Sequence, residues 1–167
     1  GRLDGANFFR CQLGRGARFF EDGLRGGYIG TGWLAPVDLS PYLGASSEVW
    51  HKALNERAAT IDELDSNVAA GLAVGQTWAL VEAMQQGDVV LVPTGEGSYA
   101  AAVIAGPYRY VPGADLPHQR PVDWLAIELH RDQLSDKLRN TLGFGGTVQS
   151  LNAHAEELRG LLASSPR

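Results

Sequence analysis

Val89-Val90-Leu91-Val92 is an unbroken apolar, largely β-branched run, the pattern of a strand covered on both faces. Pro93-Thr94-Gly95-Glu96-Gly97 follows it with two glycines suited to the positive-φ positions of a turn, and Ser98 to Ala105 returns as the partner strand. A hairpin of this kind forces the rest of the chain to be arranged around a sheet. Further strands are expected over Asn7 to Leu13, around Tyr28-Ile29, over Val122-Asp123-Trp124-Leu125-Ala126-Ile127, and as a short edge strand at Thr147 to Leu151.

Helices are expected between and after these strands. Phe19 to Leu24 suits a helical turn, and Ser46-Ser47-Glu48 opens a helix whose apolar side carries Val49, Ala53 and Leu54 toward Ala58. Trp50 and His51 belong to its packing. Asp62-Glu63-Leu64-Asp65 reads as a solvated acidic connection. Ser66 to Gln86 is helical, with Gly71 and Gly75 weakening its middle enough to suggest two shorter helices. Arg131 to Leu142 holds one or two turns, and Asn152 caps a last helix bearing Leu158, Leu161 and Leu162. The expected fold class is α+β: a small open β-barrel of five to six strands flanked by helices.

The 167 residues suit one domain, placed at 1–163, with 164–167 reading as a linker or tail; a module of a larger protein and a complete protein with a processed or tagged start are both compatible with such ends. No apolar run spans a bilayer, and the lone Cys11 suits a reducing, cytoplasmic setting. A net charge of −5 argues against nucleic-acid binding by bulk electrostatics. The charge is uneven, however: residues 1–33 carry five arginines against three acids, while residues 34–105 carry nine acids against two bases. A basic face therefore remains available outside the middle segment.

The strand at Tyr28 ends in Gly30-Thr31-Gly32-Trp33, and Pro36 then stops regular pairing. Trp33 is expected at a rim, with Asp38 and Ser40 on the loop beyond; the alternative is that it plugs the core. An aromatic wall beside acceptors suits a flat, hydrogen-bonding ring. No metal-ligand spacing joins His51, His118, His130 and His154, and no phosphate loop, dinucleotide fingerprint or nucleophile elbow occurs. Neither a cofactor nor a catalytic role is expected of this domain. Arg15, Arg18, Arg109, Arg120 and Arg139 are candidates for phosphate contact.

The succession of Tyr28-Ile29-Gly30-Thr31-Gly32-Trp33, Gly87-Asp88-Val89-Val90-Leu91-Val92, Ala102 to Tyr110, Arg120-Pro121-Val122-Asp123-Trp124-Leu125 and Leu138 to Leu142 resembles the EVE and YTH-like branch of the PUA superfamily. The versions at the front of modification-dependent restriction proteins are the most similar. The resemblance covers roughly Phe8 to Leu151. It implies a PUA-like barrel that reads a modified base, a methylated one in this reading, flipped out of DNA into an aromatic cage and directs a nuclease or NTPase effector. It places Trp33 at the first cage wall, Tyr110 near the second with Tyr108 as substitute, and Trp124 in the strand core. Asp38 and Ser40 are then the edge readers. An RNA-binding module of the same fold and a small-molecule or protein-interaction domain are the alternatives.

Overall fold

The computed structural model describes residues 3–143 and 145–164, and its strands explain themselves by which side of the sheet each apolar residue takes. Phe9 and Cys11 of β1 (Phe8–Cys11), Val90 and Val92 of β3 (Val89–Pro93), and Ala102 and Ile104 of β4 (Ser98–Ile104) share one cluster. Phe8, Val89, Leu91, Ala101 and Val103 belong to a second, on the opposite side. A period of two with both sets buried is a sheet covered on both faces. The hairpin is as expected, pairing Val89 with Val103 through Pro93 with Tyr99.

The remaining strands are β2 (Tyr28–Thr31), β5 (Arg109–Tyr110), β6 (His118–His130) and β7 (Val148–Ser150). Their order is β2-β6-β4-β3-β1-β7, with the two-residue β5 added beside β6. β1 and β3 run parallel, so the chain between them must cross over; it does so through α1 (Phe20–Gly26), β2, α2 (Ser47–Ile61) and α3 (Asn67–Trp78). β6 curls the sheet. Its first residues pair with β2 and β5 and the rest with β4, across a register shift between Ala100 and Ala102. The product is an α+β open half-barrel flanked by helices.

Phe20 of α1 and Leu80 and Met84 pack against the first face, while α4 (Asp136–Leu142) and α5 (Ala155–Ser164) cover the second. A third cluster unites the loop after β2 with α2 and α3 around fully buried Trp50. Gly71 and Gly75 do not break α3. They lie where it packs on α2, facing Asn55 and His51, and the irregularity comes later as a π-helical turn at Ala79–Ala83. Of the expected tail, Ser164 closes α5 and residues 165–167 lie outside the described residues. Among the described residues, no helix is long and apolar enough to cross a membrane.

Strand directions bring four ends to one opening. Thr31 at the end of β2 pairs with His118 at the start of β6, and Cys11 at the end of β1 pairs with Val148 at the start of β7. The Cys11 thiol, 3.8 Å from the Gly30 carbonyl, ties these two pairs together.

Candidate functional site

A cavity of about 780 Å³ occupies this opening, within the range of ligand pockets. Trp33 lines it, half-buried, with Phe19 contributing a second ring. Two arginines, Arg15 and Arg18, and two carboxylates, Asp62 and Asp115, supply charge of both signs. Gln12 completes the polar lining from the end of β1.

The Trp33 indole differs from the other three in its hydrogen bonding. Trp50 Nε1 donates to the Tyr42 carbonyl at 3.0 Å, Trp78 Nε1 to Ala45 at 3.1 Å and Trp124 Nε1 to Gly23 at 3.1 Å. Those rings are packing residues with their polar handle satisfied. Trp124 is, as expected, one of them, edge-on to Phe20 at 5.8 Å between centroids. Among the described residues, the Trp33 N–H has no acceptor.

Backbone strain is concentrated here as well. The positive-φ residues other than glycine, among those described, are Ala17 (φ 60°), Leu34 (φ 56°) and Glu63 (φ 52°). Each adjoins a residue lining the cavity: Arg18, Trp33 and Asp62 respectively. A left-handed non-glycine residue costs on the order of 1–3 kcal/mol and persists only where its surroundings enforce it. At Leu34 the enforcement is visible. Its N–H donates to Asp62 Oδ2 at 3.0 Å, its carbonyl accepts from His118 Nε2 at 2.9 Å, and its side chain is fully buried. On the opposite wall Gly14 (φ 79°) is required, because a Cβ there would stand 2.5 Å from the Phe19 ring. The Arg18 guanidinium lies over that ring, 4.6 Å from its centroid.

Tyr108, Tyr110, Asp38 and Ser40 do not line this cavity. Tyr108 and Tyr110 lie nearly parallel to the ring of buried His118, at 5.9 and 5.4 Å between centroids. Because Nε2–H of His118 serves Leu34, its Nδ1 accepts the Tyr108 hydroxyl at 2.9 Å, and that hydroxyl in turn accepts the Leu39 N–H at 3.2 Å. The Tyr110 hydroxyl donates to the Ala35 carbonyl at 2.8 Å. These rings therefore clamp, from behind, the loop that carries Trp33. Burial lowers the His118 pKa and pushes the Tyr108 phenol up to about 12, keeping both neutral. Asp38 is exposed and bonded to the backbone and hydroxyl of Ser40, which lowers its pKa.

The candidate phosphate contacts separate in the same way. Arg15 and Arg18 are exposed at the cavity. Arg109 donates to Gln119 Oε1 at 3.0 Å. Arg139 pairs with Asp136 on α4. Arg120 must be reassigned: it is 5% exposed, and its guanidinium donates to the carbonyls of Gly106, Leu80, Val81 and Met84. It closes the π-helical turn rather than facing solvent.

Asp62, Asp115, Phe19 and Gln12 were not singled out by sequence reasoning. Asp62 alone left a signal, since an acid at the C-terminal end of a helix opposes the helix dipole and asks for a compensating role. Burial raises its pKa, and the Leu34 N–H partly offsets that. No group of three or more histidine, cysteine or acidic side chains that could hold a metal ion occurs among the described residues. No curated protein matches the chain. Residues 10–151, most of its length, match the model of a family described as a domain of unknown function, DUF8426, and the chain belongs to that family.

Proposed function

We propose that this domain is a non-catalytic recognition module that takes a modified base, extruded from a DNA strand, into the cavity at the barrel opening and so directs a nuclease or NTPase effector. The observation that supports this reading best is the half-buried Trp33, with its N–H unspent, in a cavity shared with Phe19, two carboxylates and two arginines. The resemblance to EVE and YTH-like domains points the same way. Extruding a base from a duplex costs a few kcal/mol. Stacking on an aromatic ring returns about 1–3 kcal/mol per base, so one ring is marginal and a second contact is needed. Phe19 is the second ring in this reading, in place of Tyr110. A buried methyl group adds about 0.8 kcal/mol by the methylene figure.

The test is titration of fluorescent oligonucleotides carrying 6-methyladenine, 5-methylcytosine or the unmodified base, as DNA and as RNA. Tighter binding of a modified DNA strand is the expected result. Equal affinity for modified and unmodified strands would remove the reading of marks, and tighter binding of the RNA series would transfer the module to RNA.

A further inference from the structure

The cavity holds two polar groups whose hydrogen-bonding sense is fixed by neighbours outside it. Arg10 is 6% exposed and has no carboxylate partner among the described residues. It spends its cation on two neutral acceptors, donating from one terminal nitrogen to the Gly146 carbonyl at 2.7 Å and from the other to Gln12 Oε1 at 2.8 Å. A guanidinium has no acceptor, so the Gln12 oxygen must face it. What Gln12 offers the cavity is therefore its NH₂, a donor that cannot flip without leaving Arg10 facing another donor. Asp62 is fixed in the opposite sense. Oδ2 is held by the Leu34 N–H, and Oδ1 has no hydrogen-bond partner among the described residues, leaving an acceptor in the wall.

Building on the base-binding reading, we propose that Gln12 and Asp62 make the cavity selective for bases that carry an exocyclic amine beside an unprotonated ring nitrogen, with Arg10 as the positioning residue. The Asp62 carboxylate accepts from the amine and the Gln12 amide donates to the ring acceptor. Adenine and cytosine derivatives present that pair; thymine, uracil and hypoxanthine present a carbonyl beside a ring N–H, which sets acceptor against acceptor and donor against donor. A buried site that pairs such groups rejects the mismatched base strongly, because its own groups are then left unpaired.

Single strands identical except for one 5-methylcytosine or thymine separate this cleanly, since both bases carry the same methyl group. The expected result is at least tenfold tighter binding of the 5-methylcytosine strand, and the same order for adenine over hypoxanthine. Asp62→Asn retains an oxygen for Leu34 but presents an amide donor, and should bring the ratio to near one. Gln12→Glu, which replaces the donor by an acceptor, should do likewise. Arg10→Met frees the Gln12 amide to flip and should lower the ratio; a merely structural loss would weaken both strands alike. Equal binding of the two strands by the unaltered protein, with Trp33→Ala still weakening that binding at least tenfold, would overturn the inference and leave the base-binding reading standing. Failure of any strand to bind would overturn both.

Discussion

Two aromatic groups lie on either side of the loop at 33–40, and they are built alike but finished differently. Tyr108, His118 and Tyr110 form a group in which each polar atom is engaged: Tyr108 and His118 bond each other, and the three remaining partners are backbone groups of the loop, at Leu34, Ala35 and Leu39. Trp33 and Phe19 are joined by polar groups with bonding capacity left over: the indole N–H, one oxygen of Asp62 and the NH₂ of Gln12. Aromatic content alone would nominate either group as a binding wall. The hydrogen-bond inventory distinguishes them, because a group whose bonds are all internal can hold a shape but has nothing with which to recognise a ligand. The clamp and the cavity are then one device, the first holding Leu34 in its left-handed conformation so that Trp33 faces the second.

The largest effect expected from this contrast lies between two tryptophans. Trp50 is fully buried with its N–H bonded, and Trp50→Ala should cost about 3–5 kcal/mol of stability by leaving a cavity in the cluster of α2 and α3. Trp33→Ala should leave the denaturation midpoint nearly unchanged while removing about 1–3 kcal/mol of oligonucleotide binding, a loss of roughly one to two orders of magnitude. Denaturant melts paired with binding titrations make the comparison. A stability loss at Trp33 as large as that at Trp50 would make it a core residue and dissolve the distinction.

The clamp itself can be cut without touching a cavity residue. Tyr108→Phe leaves the half-buried ring in place but strips buried His118 Nδ1 and the buried Leu39 N–H of their partner, an expected cost of about 1–3 kcal/mol per unsatisfied buried group. Tyr110→Phe removes only the bond to the Ala35 carbonyl and should cost less, about 1 kcal/mol. Both should weaken binding only through looser presentation of Trp33. If Tyr110→Ala abolishes binding while leaving stability intact, Tyr110 is a cage wall after all.

How far the sequence disclosed this follows from where the information resides. The hairpin and the central strands were legible because each depends on local period or turn chemistry: Val89 to Val92 is a covered strand whatever else surrounds it. The packing role of Trp124 was legible only through the family resemblance. Trp33 was legible as a rim residue because Gly32 and Pro36 bracket it. Its companions were not. Phe19 looks like one more apolar residue ahead of a helix, and Asp62 shows only as an acid set against a helix dipole, with nothing to say what it serves; only the crossover between β1 and β3 brings them to the same opening. The tyrosines misled for a related reason. Tyr108 and Tyr110 lie close in sequence to a rim, but their hydroxyls find Leu39, His118 and Ala35 over separations of 69, 10 and 75 residues, which no local pattern reveals.

A smaller effect is expected from pH, again through the clamp. Burial holds the pKa of His118 below its ordinary 6.5, opposed in part by the Leu34 carbonyl and by Asp38. The unfolded chain thus takes up a proton at a pH where the folded chain does not. The stability tied to neutral His118 is complete above about pH 6.5 and declines as the pH falls through that value toward the folded pKa. Melting temperatures measured between pH 8 and pH 5 should drop, and His118→Gln should flatten the part of that slope near pH 6.5. An unchanged slope in the variant would show that the clamp does not depend on the uncharged ring.

The least of these effects, and the one that sharpens the comparison most, concerns arginines. Arg15 and Arg18 stand at the cavity with exposed side chains, whereas Arg120 is consumed by carbonyls and Arg139 by Asp136. For a single strand each phosphate contact contributes about 0.7 to the slope of log affinity against log salt. Arg15→Gln and Arg18→Gln should each lower the slope by about that amount, and Arg139→Gln should leave it alone. A slope equally reduced by Arg139→Gln would move the strand's path to the face of α4, away from the opening. A slope reduced by neither Arg15→Gln nor Arg18→Gln would leave the base held by ring and edge contacts alone, and the cavity would then have to discriminate without help from the backbone it is attached to.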